Sequence, residues 1–431
     1  MDVLGQPLVR AVAWMILVLQ VVLMPRPTGR GLREPAIILG ASALLVLLQL
    51  IPLPPSIWTA LPGRDIFVDL ATIIGVEQPW RPISISPSWT FNALSSLIVP
   101  AVVLLLASNL TNDQHWRIVL LLVALALGGT LIGLIQFSGN SFDNPFINSL
   151  PNAVSGNFAN RNHFALFLAL ACVLALVWSL RRSTPRWAII GAVGVMLLFL
   201  LTSLATGSRT GALLTLVAIP LGAVVSFDRV RSEFKAIPRR FRIPLVGLGA
   251  AICFGCIWLS IALDRAIVVE RTTRSIGEAD FRSEIWNVTI DMVARYFPVG
   301  SGYGTFDPVY RISEPDAILG TRYVNQAHND WLQVVLEGGL PGAFLLFACL
   351  AWFAIRSFAA FRADASGQAG AARLARVGSA LIVLVMIASI PDYPARTPMI
   401  MAILALSAFW LANARAGNVV RSPDKAASSL R

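Results

Sequence analysis

Charge is scarce in this chain. Only 13% of its 431 residues are Asp, Glu, Lys or Arg, about half the share of a soluble domain. Histidine is scarcer still, with three residues, and there are four cysteines. Each shortage excludes something. Three widely spaced His, with no HxH or DxD, supply no metal-type cluster. Cys172, Cys253, Cys256 and Cys349 all fall in apolar stretches and read as small buried hydrophobes, not disulfide partners. The CxxC of Cys253 and Cys256 lacks the His or acid that a redox or zinc site needs nearby. No Walker Lys follows the run Gly300-Ser301-Gly302-Tyr303-Gly304, so it reads as a tight turn and not a nucleotide loop. No small-residue cleavage site follows the first apolar block, which is therefore expected to stay as a span.

Apolar residues fill the chain instead, 56% of it. A membrane span needs roughly 18 or more of them in a row. Eleven blocks read this way, some at the short end: 11–24, 36–53, 92–108, 118–137, 163–180, 188–206, 211–226, 243–263, 339–355, 377–390 and 398–413. Only helices satisfy their own backbone in lipid when a sequence is this apolar throughout. The expected fold class is all-α, a polytopic transmembrane helical bundle of about 11–12 spans. Its expected division is spans one to eight over 1–263, a large loop with short helices over 264–337, spans nine to eleven over 338–413, and a polar cytoplasmic tail over 414–431. The piece IFVDLATIIGV at 66–76 is too short to cross and carries Asp69, so it reads as interfacial or re-entrant.

The net charge of +11 is unevenly spread. Alternate loops hold 21 Lys or Arg in one set and 6 in the other. That is the positive-inside asymmetry, so the basic excess reports topology and not nucleic-acid binding. It places 264–337 on the outer side, the periplasm of a Gram-negative cell. This loop is the one long polar run, with seven Arg and eleven Asp or Glu. The apolar blocks hold no Lys, Arg, Asp or Glu. Coupled transporters and proton pumps need ionisable groups near the midplane, so chemistry at the outer face is better supported than transport.

The chemistry-bearing residues on that face are few. Arg209 sits at the outer end of span six between small neighbours; it is either a snorkelling anchor or a functional cation. Gly207 and Ser208 beside it suit an N–H concavity for an anion. Arg282 follows Asp280, a candidate N-cap, on a helix whose apolar stripe is Phe281, Ile285, Val288 and Met292. The bland reading of Arg282 is a pair with Glu278. His328 precedes Asn329 and Asp330, either of which can cap a short helix that stops at Gly338-Gly339. The positive end of that helix dipole favours a neutral imidazole, which suits a general base. The alternative is a His hydrogen-bonded at the interface. Arg161 and His163 share the same face. With no metal cluster, Arg has to neutralise any phosphate.

These residues carry a family resemblance. NRNHFA at 160–165, GSRTG at 207–211, FRSEIW at 281–286, FPVGSGYGTF at 297–306 and AHNDWLQVVLEGGLPG at 327–342, in this order, resemble the O-antigen ligase and polymerase superfamily. The resemblance covers roughly residues 90 to 410, and the first 90 add nothing to it. It implies a metal-independent, cofactor-free inverting glycosyltransferase of the bacterial inner membrane. Its donor would be a glycan on undecaprenyl diphosphate, and its acceptor a hydroxyl of a glycan, of lipid A-core or of a protein. By motif position Arg209 and Arg282 correspond to the diphosphate-binding arginines and His328 to the residue that activates the acceptor. Arg161, His163, Ser208, Tyr303 and Asn329 are expected to line the diphosphate or glycan site. An O-antigen ligase is the leading reading. A polymerase or a protein O-oligosaccharyltransferase shares the donor chemistry, and a polysaccharide or lipid transporter is the alternative of another class.

Overall fold

A computed structural model describes residues 5–24, 30–139, 153–181, 183–244, 246–247, 249, 251, 254–255, 258, 278–316, 319, 323–362 and 369–413. The fold is all-α. Besides the single turn Pro55–Trp58, its α-helices among the described residues begin with α1 (Gly5–Leu23), α2 (Arg33–Leu48), α3 (Asp65–Ile74), α4 (Pro87–Ser96), α5 (Ile98–Ser108), α6 (Asn112–Phe137), α7 (Arg161–Ser179) and α8 (Trp187–Ala205). After these come α9 (Arg209–Val225), α10 (Phe227–Ala236), α11 (Glu278–Tyr296), α12 (Phe306–Ser313), α13 (Asp330–Arg362), α14 (Ala369–Ala388) and α15 (Pro398–Ala412). The only sheet among the described residues is a two-residue antiparallel pair, Pro52–Leu53 with Arg81–Pro82.

Among the described residues seven helices are long and apolar enough to span a membrane, counting α4 and α5 as one span broken at Leu97. Three further apolar blocks form shorter helices: α2, α9 and α15 have 16, 17 and 15 residues. Most of the expected block 243–263 lies outside the described residues. The 66–76 piece is the separate short helix α3, whose Ile66, Leu70, Ile73 and Ile74 stay exposed.

Helix α7 is the axis. It is apolar on every face, and such a helix goes to the centre. Every residue from His163 to Ala175 is buried. Helices α6, α8, α9 and α14 surround it. Gly211 allows the closest approach, because a Cβ there would lie 2.2 Å from that of Ala165. The N-terminus of α7 therefore delivers Asn160 to His163 to the middle of one end of the bundle, the site end.

The basic loops meet at the opposite end. Arg356 pairs with Glu34, Arg181 lies 3.7 Å from Asp113, and Arg373 donates to the Leu180 carbonyl at 3.3 Å.

Helix α13 breaks at Gly339, whose φ and ψ are 58° and −149°. The chain cannot carry a side chain there. A Cβ would stand 2.3 Å from the Pro298 carbonyl oxygen. A break leaves helix carbonyls without partners, and the glycine run supplies them. Ser301 N–H donates to the Leu336 oxygen and Gly302 N–H to that of Glu337, each at 3.0 Å, while Leu340 N–H returns to Pro298 at 2.8 Å. The N-terminal outer segment then clasps this splint. Gln49 Nε2 donates to the Glu337 carbonyl and Gln49 Oε1 accepts from Tyr303 N–H, both at 2.9 Å. Arg64 is wholly buried beside Trp58 and Tyr296, and that burial lowers its guanidinium to about 10.

Helix α11 already contains Asp280, so this residue does not cap it. The stripe Ile285, Val288 and Met292 is buried, as that spacing requires; the side chain of Phe281 lies outside the described set. Gly339→Ala should cost on the order of 1–3 kcal/mol through the left-handed φ alone. Thermal unfolding of the detergent-solubilised protein should show a clearly lower Tm, and an unchanged Tm would mean that the break tolerates a side chain.

Candidate functional site

The turn 389–397 joins α14 to α15 and carries Asp392 to the site end. Asp392 is 4% exposed. Its Oδ2 accepts from Asn162 Nδ2 at 2.7 Å, and its Oδ1 from its neighbour Tyr393 N–H at 2.9 Å. Two imidazoles face the same oxygen. His163 Nε2 lies 3.7 Å from Oδ1 and His328 Nδ1 lies 3.4 Å from it. Burial pushes this carboxyl up, but the two histidines outweigh it and hold the group well below the usual carboxylate range. Asp392 is therefore ionised at neutral pH. Its contribution to stability is present above the ordinary carboxylate range and is lost as pH falls through the lowered value.

The Tyr393 ring stands between the two imidazoles, with centroids 5.1 Å from each. Burial, then the charge of Asp392, pushes its phenol to about 12. It stays a neutral wall. His328 has φ 50°, the only positive φ outside glycine among the described residues. Strain of this kind gathers at functional sites. Trp286 Nε1 donates to the His328 carbonyl at 3.2 Å, and one turn earlier on α11 Arg282 Nη1 donates to the Pro391 carbonyl at 3.2 Å. One face of α11 thus grips both halves of the histidine–aspartate cluster.

A buried ion set lies beneath. Arg396 Nε donates to Asp330 Oδ1 at 3.1 Å, and its Nη1 to Glu337 Oε2 at 3.0 Å. Glu337 also accepts from Gln333 Nε2 at 2.9 Å and from Phe306 N–H at 3.3 Å. Asp330 accepts from Ser389 Oγ at 3.0 Å and from Ala395 N–H at 3.2 Å. The start of α13 is thereby fastened to the 389–397 turn, which sets the separation of His328 and Asp392.

A narrow cleft of about 270 Å³, counted with the solvent at its mouth, is lined by Asn162, His163, Thr210, Gly211, Arg282 and Asp392. Arg209 is exposed in the first turn of α9 at its rim. Ser208 is the N-cap of that helix, its Oγ accepting from Gly211 N–H at 3.1 Å. Arg161 approaches the same turn, with Nη1 3.6 Å from where a Gly207 Cβ would stand.

The structure therefore gathers His163, Arg282, His328 and the 207–211 turn at one end. Asn329 supports the group as a cap: its Oδ1 accepts from Leu332 N–H at 3.1 Å, while Asp330 faces Arg396. Tyr303 stands apart. Its hydroxyl packs against Gly338 and Gly342 beside the break, where burial pushes it to about 12. The side chain of Glu278 is outside the described set, so the Arg282 contact seen is Pro391. On the sequence alone Asp392, on the same outer face, is only a fallback base should His328 be a phosphate ligand, and neither Tyr393 nor Arg396 is picked out. A usable signal for Arg396 was present: Asp330 and Glu337 are seven apart on one helix face, and two buried acids there call for a cation. Among the described residues no group of three His, Cys, Asp or Glu is placed to hold a metal ion.

Fold and site together define a multi-pass helical membrane protein with a polar cluster at one end of its bundle. Residues 194–347 match the O-antigen ligase family, about a third of the chain, and the match takes in Arg209, Arg282 and His328. The resemblance of the chain to the O-antigen ligase superfamily thus has a matched segment, and it supports a ligase- or polymerase-like function in general terms. A search of curated proteins finds no match.

Arg396→Gln should cost several kcal/mol, about 3–5, because it leaves buried Asp330 and Glu337 without their cation. Chemical or thermal unfolding in detergent measures this. A loss below about 1 kcal/mol, the range of a surface pair, would show that the ion set does not fasten the turn.

Proposed function

We propose that the chain is a glycosyltransferase that moves a glycan from undecaprenyl diphosphate to an acceptor hydroxyl, as an O-antigen ligase acting on lipid A-core. It would work from the bacterial inner membrane, with the site end toward the periplasm. The observation that carries the reading is the ionised carboxylate of Asp392 set 3.4 Å from His328 Nδ1, next to Arg282 in a cleft. A carboxylate at Nδ1 favours the tautomer with its proton there, which leaves Nε2 to accept one.

On this reading the acceptor oxygen attacks the anomeric carbon as His328 Nε2 takes its proton. The bond from that carbon to the diphosphate oxygen breaks on the opposite face, and the configuration inverts. Undecaprenyl diphosphate leaves with the electron pair. Arg282 and Arg209, with Arg161 beside them, hold its growing charge, which planar guanidinium forks do well. His163 beside the same oxygen and Asn162 on the other favour the ionised form of Asp392 while His328 cycles. No step calls for a metal or cofactor. The domain division follows: the spans over 1–263 and 338–413 form the scaffold and bring Arg161, His163, Arg209 and Asp392 to the site end, and 264–337 supplies Arg282 and His328.

Arg209→Lys and Arg282→Lys keep the charge but lose the fork. Each should lower transfer on the order of 10²-fold or more and weaken donor binding. His328→Ala should abolish transfer and leave undecaprenyl diphosphate binding nearly unchanged. In the same assay with purified enzyme, excess EDTA should leave the wild-type rate intact. Loss of donor binding in His328→Ala with turnover retained at saturating donor would make His328 a phosphate ligand, and strict dependence on Mg²⁺ or Mn²⁺ would overturn the arginine account.

A further inference from the structure

A second polar pocket lies at the opposite end of the bundle. It is formed where α9 meets α10 and where α14 begins, and it is lined by Ser226, Asp228, Arg229, Arg373 and Arg376, with about 330 Å³ of space counted with the solvent at its mouth. Nothing in glycosyl transfer calls for it.

Three observations point to an anion. Ser226 is 3% exposed, yet its Oγ has no hydrogen-bond partner, and the Nε of Arg229 beside it is likewise buried and unsatisfied. A buried donor without a partner costs free energy unless a ligand meets it. Ser226 also stands at the N-terminus of α10 without a side-chain cap bond; the N–H groups of Arg229 and Val230 turn back to its carbonyl, and what this end offers the pocket is the positive pole of the helix dipole. Among the described residues three arginines line the pocket with one acid, Asp228, and Arg229 meets Glu233 outside it at 3.4 Å. Arg373 and Arg376 are held in place by the carbonyls of Leu180 and Ala360.

The setting selects the kind of anion. Helix α10 turns 89° from α9, which lays it across the bundle's end and, if α9 spans the membrane, along its surface. It and the residues after it carry Arg229, Arg231, Lys235, Arg239, Arg240 and Arg242, with Phe227 and Phe241 exposed among them. A basic amphipathic helix flat on the membrane beside a basic pocket between spans is the arrangement that binds acidic lipid headgroups.

We propose that this pocket binds the phosphodiester headgroup of an anionic phospholipid of the leaflet at its own end of the bundle, opposite the end that carries His328 and Asp392. Ser226 Oγ and Arg229 Nε donate to the phosphate, and Arg373 and Arg376 supply the field. The inference does not rest on the transfer reading.

The full chain in phosphatidylcholine nanodiscs, with phosphatidylglycerol titrated in, tests it by thermal shift and by native mass spectrometry of retained lipid. Wild type should be stabilised by phosphatidylglycerol and retain it. Arg229→Gln and Ser226→Ala leave the helix-end contacts of Arg373 and Arg376 intact; the first should weaken the apparent affinity about fivefold, the effect of one basic group at an anionic surface, and the second about tenfold, the loss of one hydrogen bond to a charged group. Their Tm in phosphatidylcholine alone should match wild type. Equal response of wild type and both variants would overturn the site. A shift from inorganic phosphate but none from the lipid would overturn the lipid as its source.

Discussion

The site end hangs on Arg396. A guanidinium between two buried carboxylates costs desolvation on every member, and it repays that only when each hydrogen bond is made. Here Arg396 reaches both Asp330 and Glu337, and their remaining oxygens are taken by Ser389, Ala395, Gln333 and Phe306. Two chain segments some sixty residues apart are thereby fixed in register: the His328 turn and the Asp392 turn. The spacing of His328 and Asp392 is a consequence of that register.

The break at Gly339 serves the same end. It lets α13 carry Glu337 into the loop layer before the chain turns down into the bundle. The broken carbonyls are met by the glycine run and by Gln49, so the N-terminal third of the chain helps to hold the site although it supplies no reacting group. Helix α7 contributes from the other direction: because every face of it is apolar, it sits at the centre and presents His163 and Asn162 to Asp392 from below.

The helices were legible because a span depends on composition alone, and composition is local. That Arg209, Arg282, His328 and Asp392 share one end was legible too, since loops of a membrane chain alternate between two faces. Pairings were not. His163, His328 and Asp392 are far apart in sequence, and nothing local to any of them says which carboxylate they share. Asp392 looked like a turn residue because Pro391 and Pro394 flank it. The family resemblance put Tyr303 among the expected site residues, but the glycine run that carries it splints a helix break and Tyr303 fills the space beside it. Asn329 and Asp330 are equally good caps on paper; burial against Arg396 decides between them, and burial is not a local property.

The central claim is that Asp392 acts through His328. A double-mutant cycle on turnover tests it, with Asp392→Asn measured in the wild-type and the His328→Ala backgrounds. Acting through His328, Asp392→Asn should lower kcat by about 10²-fold or more in the wild type, as loss of a triad carboxylate does, and should cost nothing further once His328 is gone. If instead the two losses multiply, Asp392 and His328 act independently, and the account is wrong.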